Sequence, residues 1–373
     1  MLTLKPLLWK VTAAVLAAAA AVSSPAASRK PIEQRLSLTQ LAGQRIVYSY
    51  AGLDPPPSLL AAIRAGQAAG VIFFGPNISS PAQIHGVVRS LQRASSASPV
   101  HQPLLMLVDQ EGGEVRRLPG APTLSEKQIG SSRDSLALAG EAGAGAGRNL
   151  AGVGMNVNLA PVLDVFRRPD DFIDQYRRSY SSDPRTVASL GAAFISAQQR
   201  LAVAATAKHF PGLGAAATAQ NTDVGPVTLR LSLNQLRTVD EVPYRRAIAA
   251  GVKLVMTSWA LYPALDPKLP AGLSPALIQG ELRGRLGFHG VTITDGIEAG
   301  ALRRFGTVGQ RAVLAARAGA DLILCVAPNV QDDSPAIGTS ALQAIVSALK
   351  RGTLSRTAAE RSAARVIALR AGP

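Results

Sequence analysis

Eight short apolar runs recur along the chain, at residues 45–50, 70–75, 104–110, 155–165, 203–209, 253–259, 291–295 and 321–326. Most are continuous rather than alternating, the pattern of strands covered on both faces in a parallel sheet. Between them lie Ala-, Leu- and Arg-rich stretches of helical character, at 58–69, 81–94, 135–150, 185–201, 233–250, 274–286 and 308–318. Eight strands alternating with helices predict an α/β chain folded as a (β/α)8 TIM barrel, one domain over residues 36–371. A last helical stretch, 354–369, is expected to close the barrel wall. The competing doubly wound open sheet lacks its fingerprint, because no Gly-x-Gly-x-x-Gly follows the first run.

The polar residues that interrupt these runs fall at their C-terminal ends: Tyr50, Asp109, Asp164, Lys208 and His209, Ser258 and Asp295. In such a barrel those ends open on one face, where ligands bind.

Composition narrows the setting. With 47% hydrophobic and 17% charged residues the chain can bury a full core, which excludes a disordered or fibrous protein. A single cysteine cannot form an internal disulfide, and no Cys/His cluster has the spacing of a structural zinc site, so stability is expected from packing alone. Residues 1–28 read as a signal peptide. Lys5 and Lys10 precede an Ala/Val/Leu run from Val11 to Val22, and Ser23-Ser24-Pro25-Ala26-Ala27-Ser28 supplies small residues for cleavage. The run is shorter than the roughly 20 residues that span a bilayer. An exported protein, secreted or held in the cell envelope, is therefore expected, with an uncleaved anchor as the alternative and no membrane contact beyond this segment. No cysteine stands near the cleavage region for a lipoprotein anchor.

The net charge of +15 falls to about +13 without Lys5 and Lys10. Of the 39 basic residues 31 are Arg, scattered and without aromatic interleaving, so a nucleic-acid partner is not expected. A solvated basic surface and attraction to an anionic cell-envelope polymer both fit.

Four clusters could carry chemistry. Asp295 ends the apolar run Val291-Thr292-Ile293-Thr294 beside Gly296, which suits a nucleophile held by a sheet; an N-cap for the stretch starting at Ile297 suits it equally. Asp109-Gln110-Glu111-Gly112-Gly113 crowds two acids into a turn that needs donors, either ligand hydroxyls or Arg116 and Arg117. Lys208 and His209 precede a loop rich in Gly and Ala and could donate to ligand oxygens. Lys208 could instead form a Schiff base or sit in a core salt bridge. Arg178 either binds a ligand or is a solvated loop arginine.

Six strings in register resemble glycoside hydrolase family 3, in particular its single-domain bacterial β-N-acetylglucosaminidases. They are Gly70-Val71-Ile72-Phe73-Phe74-Gly75, Val108-Asp109-Gln110-Glu111-Gly112-Gly113, Asn158-Leu159-Ala160-Pro161-Val162-Leu163-Asp164-Val165, Lys208-His209-Phe210-Pro211-Gly212, Tyr262-Pro263-Ala264-Leu265-Asp266 and Thr294-Asp295. The resemblance implies a barrel that removes a terminal β-linked sugar with retention, through a glycosyl-enzyme intermediate and without a metal or organic cofactor. It implies Asp295 as nucleophile, and Asp109, Arg117, Arg178, Lys208 and His209 as the residues that hold sugar hydroxyls.

One departure stands out. Where the family pattern continues His-Gly and then Asp-Ser-His, with Asp and His as acid/base, this chain has Leu213 and then Ala219-Gln220-Asn221-Thr222-Asp223. The histidine has no counterpart. Asp223 is the acid remaining in that loop and is the candidate acid/base, with Glu298 and Glu111 as alternatives. The expected protein is thus a monomeric retaining exo-glycosidase (β-N-acetylhexosaminidase) acting on terminal β-linked N-acetylglucosamine, from cell-wall fragments or related glycans. A β-glucosidase-type exo-hydrolase, a sugar-binding barrel that has lost catalysis, and an aldolase using Lys208 are the rivals.

Overall fold

A computed structural model describes residues 2–3, 31–326 and 335–372. The expected signal peptide, 1–28, lies outside the described residues apart from 2–3. From Ile32 onward the chain forms one compact unit.

Eight parallel strands close into a barrel: β1 (Ile46–Tyr48), β2 (Gly70–Phe73), β3 (Leu105–Val108), β4 (Val157–Asn158), β5 (Ala204–Phe210), β6 (Leu254–Thr257), β7 (Val291–Gly296) and β8 (Leu322–Leu324). Each pairs with its neighbour in chain order, and β8 returns to β1 through Ile323 opposite Ile46 and Leu324 opposite Val47. All eight strands fall inside the apolar runs or within one residue of them. The fourth run is much shorter as a strand than its apolar length suggests. Pro161 has no N–H for the ladder, so regular pairing stops after Asn158 and resumes only as a bridge between Val162 and Lys208.

Side chains alternate between the two faces of a strand, and in a closed barrel one face is the interior. The inward set forms its own apolar cluster, including Val47, Ile72, Leu105, Leu107, Val157, Leu159, Leu254, Met256, Val291, Ile293, Leu322 and Leu324. Outward residues such as Tyr48, Phe73, Met106 and Val108, or Ala205, Ala207 and Val255, join two further clusters beneath the helices. Both faces are therefore buried, which explains the near-continuous apolar runs.

Local chemistry starts and stops the helices. The Asp183 carboxylate accepts from the Arg185 and Thr186 N–H groups ahead of the helix Pro184–Gln199, with proline at its first position. Thr307 and Gln310 form a capping box at the start of Val308–Ala318, and Gly319, at φ 106°, ends that helix. The stretch expected as one helix over 233–250 is broken. A wider π-type turn, Leu236–Asp240, leads into Val242–Ala249, where Pro243 lacks an N–H to continue the ladder. The helix Pro335–Lys350 that follows β8 was not expected from the sequence.

The helix Arg356–Ala371 does not stand in the barrel wall; it seals the floor. Val366 and Leu369 enter the interior cluster, and Arg365 Nη2 meets Asp321 Oδ1 at 2.7 Å, just before β8. Arg370 Nε donates to the Pro103 carbonyl at 2.7 Å, ahead of β3. Both anchors lie at the N-terminal ends of strands, opposite the face where ligands bind.

Candidate active site

Counting by twos along three strands places the polar ends. Residues 105, 107 and 109 share the inward face of β3, as do 204, 206 and 208 on β5 and 291, 293 and 295 on β7. Asp109, Lys208 and Asp295 therefore project over the same end of the barrel. They line a cavity of about 410 Å³ together with Arg117, Arg178, His209 and Asp223. The expected nucleophile, the candidate acid/base and the five expected sugar-holding residues meet there, whereas Tyr50, Asp164 and Ser258, also at strand ends, are not part of the lining. The apolar part of its lining includes Ile72, Phe74, Leu159, Met256 and Leu324, the top layer of the inward cluster.

A buried ionic hub fixes the cations. The Lys208 ammonium lies 2.7 Å from Asp109 Oδ1 and 2.7 Å from Glu111 Oε1. The Glu111 carboxylate also receives Arg178 in bidentate fashion, Nε and Nη2 each at 2.8 Å. Burial alone would raise the Glu111 pKa, but Arg178 and Lys208 outweigh it and hold it at about 2. Burial alone would likewise depress the Lys208 ammonium, but Asp109 and Glu111 reverse this and raise its pKa. Schiff-base chemistry needs a neutral amine, so this environment argues against the aldolase.

The donors for the acidic turn are thus Lys208 and Arg178 rather than Arg116 and Arg117. Arg116 turns away to the Gly120 carbonyl at 2.8 Å, while Arg117 lines the cavity with its Nε buried and without a hydrogen-bond partner among the described residues. Arg178 is not a solvated loop residue. It belongs to the hub.

His209 is held from behind. Its Nδ1–H donates to Asp164 Oδ2 at 2.8 Å, which leaves Nε2 free for the cavity. Asp164 Oδ1 also accepts the His209 N–H at 3.2 Å and the Leu213 N–H at 2.6 Å, so one buried carboxylate orients the ring and ties down the base of the loop. Asp295 accepts the N–H of Gly296 at 2.7 Å. It does not cap a helix, because the 3₁₀ segment Gly300–Phe305 begins later, with Ala299 at the cap position.

Two further carboxyls complete the cavity. Partial desolvation, then the charge of Asp295, raises the Asp223 pKa to about 6. The residue as a whole is exposed, so the shift comes from its carboxyl facing the cavity beside Asp295. Burial raises Glu298 to about 8, reinforced by Asp295 and Asp223, while its Oε2 accepts the Val326 N–H at 3.2 Å.

Three contributors to this arrangement were not identified from the sequence. Glu111 was read as a ligand contact or an acid, not as the hub. Asp164 was noted as a strand end, a signal that could have suggested a partner for His209. Glu126 gave no signal. It is buried behind the hub, accepts the Val162 N–H at 2.9 Å, and is pushed well above the usual carboxyl range first by burial and then by Glu111.

Fixed cations and carboxylates that can read hydroxyls, beside carboxyl groups of differing proton affinity at the mouth of a barrel, are what a glycoside-cleaving hydrolase needs. The chain belongs to glycosyl hydrolase family 3: residues 50–369 match the model of the Glycosyl hydrolase family 3 N terminal domain. A protein of Arthroderma benhamiae named Uncharacterized secreted glycosyl hydrolase is 46% identical over 352 residues, 94% of this chain and 96% of that one. A Beta-hexosaminidase of Nitrosomonas eutropha is 35% identical over 272 residues, 71% of this chain and 75% of that one. Among solved structures, a glycoside hydrolase family 3 beta-N-acetylglucosaminidase from Paenibacillus sp. str. FPU-7 superposes with a TM-score of 0.83 at 37% identity. The match covers 90% of this chain but only 62% of that longer one. A Beta-N-acetylhexosaminidase from Beutenbergia cavernae gives 0.79 at 30% identity, covering 89% and 98%. Among the described residues no helix is long and apolar enough to cross a membrane.

Proposed function

We propose that the protein is a retaining exo-β-N-acetylhexosaminidase that removes terminal β-linked N-acetylglucosamine. The observation that carries this reading is the convergence of Asp295 and Asp223 on one cavity that is also lined by Asp109, Lys208 and Arg178, the members of the Glu111-centred hub that reach it. The names of the hexosaminidase relatives support the choice of sugar.

In this mechanism Asp109, Lys208, Arg178 and His209 Nε2 bind the hydroxyls of the terminal sugar. Arg117 adds a donor whose buried, unpaired N–H gains a partner only when a ligand oxygen arrives. Asp295 attacks the anomeric carbon as the glycosidic C–O bond breaks, and Asp223 gives its proton to the departing oxygen. The ester formed on Asp295 is then cleaved by water. Asp223, now a carboxylate, takes the proton from that water, and the sugar leaves with its β configuration retained. A carboxyl whose pKa is raised to about 6 by its surroundings can serve in both steps.

Residues 1–28 support export and cleavage of a signal peptide, residues 36–371 form the catalytic barrel, and the secreted relative agrees with that location. The net charge of about +13 without Lys5 and Lys10 favours anionic wall glycans, so cell-wall muropeptides are the expected source of substrate.

Trapping with a 5-fluoro N-acetylglucosaminyl fluoride followed by peptide mapping tests turnover, retention and nucleophile together. A label on Asp295 is expected, and a label on another acid refutes the assignment. Faster hydrolysis of nitrophenyl glucoside than of nitrophenyl N-acetylglucosaminide would move the protein to the β-glucosidase type. Binding of the sugar without turnover would make it a lectin-like barrel.

A further inference from the structure

The loop that carries Asp223 is pinned to the segment that leaves the nucleophile strand. The Gly300 N–H donates to the Asp223 carbonyl at 2.8 Å, and the Ala301 N–H donates to the Thr222 carbonyl at 3.0 Å. The contact is close because residue 300 has no side chain. A Cβ there would lie 2.1 Å from the Val224 carbonyl oxygen, 2.5 Å from its carbon and 2.8 Å from the Asp223 carbonyl oxygen. All three are backbone atoms, so no side-chain rotation could relieve the clash.

Both partners are themselves anchored. The loop side is tied locally by Asn221, whose Oδ1 accepts the Asp223 N–H at 2.8 Å and whose carbonyl accepts the Gly225 N–H at 3.0 Å. Further along, Val227 and Leu229 pair with Leu261 through Leu261 N–H to Val227 O and Leu229 N–H to Leu261 O, both 2.9 Å. The other side runs straight from the nucleophile. Gly296 follows Asp295, the Ile297 N–H donates to the Leu324 carbonyl at 2.9 Å, and the Ala299 N–H donates back to Gly296 at 3.2 Å.

We infer that Gly300 is a positioning residue, a latch that sets the Asp223 carboxyl at working distance from Asp295 through the short segment 296–300. This rests on Asp223 being the acid/base. In a chain whose loop lacks the histidine, a short acidic side chain has little reach of its own, and the backbone latch supplies the precision. The acid is held in place before substrate arrives rather than delivered by a swinging lid.

The test compares Gly300→Ala, Asn221→Ala and Asp223→Ala with leaving groups that need protonation and ones that do not. A displacement of about 1 Å typically costs on the order of a hundredfold. Gly300→Ala is expected to slow hydrolysis of an alkyl N-acetylglucosaminide by about that factor, while the first step on the dinitrophenyl glycoside changes little. Azide, which attacks the Asp295 ester without a general base, is expected to restore turnover of the dinitrophenyl substrate and give the β-glycosyl azide. Asn221→Ala is expected to show the same signature more weakly, and it carries the test should Gly300→Ala fail to fold. Adding Gly300→Ala to Asp223→Ala is expected to cost nothing further.

The latch is overturned if Gly300→Ala and Asn221→Ala keep the wild-type leaving-group dependence, or lose rate equally on both substrates with no azide rescue, while Asp223→Ala shows the full signature. If Asp223→Ala lacks the signature, the acid assignment has failed and the latch fails with it.

Discussion

At the barrel floor the fully buried Asp321 carboxylate is shared between Arg283 at 2.6 Å and Arg365 at 2.7 Å, and it also accepts the Thr292 N–H at 3.0 Å. At the mouth, Asp223, Asp295 and Glu298 face one cavity with no ion-pair partner among the described residues. Burial works against the ionised form at both ends. At the floor the Arg365 hydrogen bond and the two arginine charges outweigh it and leave the Asp321 pKa lowered. At the mouth nothing does, and Asp223 rises to about 6 and Glu298 to about 8. Paired charge at the floor closes the fold, whereas the unpaired Asp223 and Glu298 carboxyls at the mouth keep protons available for chemistry.

This contrast can be broken at either end. Asp295→Asn is expected to lower kcat on nitrophenyl N-acetylglucosaminide on the order of ten-thousandfold with an unchanged melting temperature. A comparable rate in that variant would remove the nucleophile from the mouth. Asp321→Ala strands Arg283 and Arg365 at the floor and is expected to cost about 3–5 kcal/mol of stability in chemical denaturation. The fraction still folded should be labelled at Asp295 as before; lost labelling would mean that the ends are not independent. Asp223→Ala is expected to cost a hundredfold or more on substrates with poor leaving groups, the usual contribution of a general acid.

The pH profile sharpens the comparison further. An acid must be protonated to donate, so kcat/KM is expected to fall as pH rises through about 6, the Asp223 value in the free enzyme. A limb near 8 that disappears in Glu298→Gln would assign the proton to Glu298 instead. The same proton also bears on stability. A carboxyl whose pKa is higher folded than unfolded binds more protons in the native state, so its contribution declines as pH rises from about 4.5 through 8. Glu298→Gln should flatten the fall in melting temperature over that window. Asp321, shifted the other way, contributes above its unfolded pKa and loses that contribution in acid.

The mouth was legible in the sequence because Asp109, Lys208, His209 and Asp295 end apolar runs, and the C-terminal ends of parallel barrel strands open on one face. What the side chains do on arrival was less legible. Glu111 meets Arg178 across 67 positions, and Lys208 meets Asp109 across 99, so turn composition at 109–113 could not reveal which arginine would reach it. The floor was missed for a related reason. The 354–369 stretch announces a helix, but its place depends on Arg370 reaching Pro103, 267 positions away. Gly300 gave no warning either, because a glycine chosen for backbone contact with a distant loop looks like any other.

The hub also bears on how such a barrel could diversify. Glu111 receives Lys208 from β5 and Arg178 from the loop after β4, so the groups proposed to read the sugar also rivet three parts of the chain together. Replacing any one of them to accept a different monosaccharide would leave a buried charge without its mate. New specificity is therefore more accessible from the loop beside Asp223, where the Val224 side chain is exposed and a substitution breaks no ion pair.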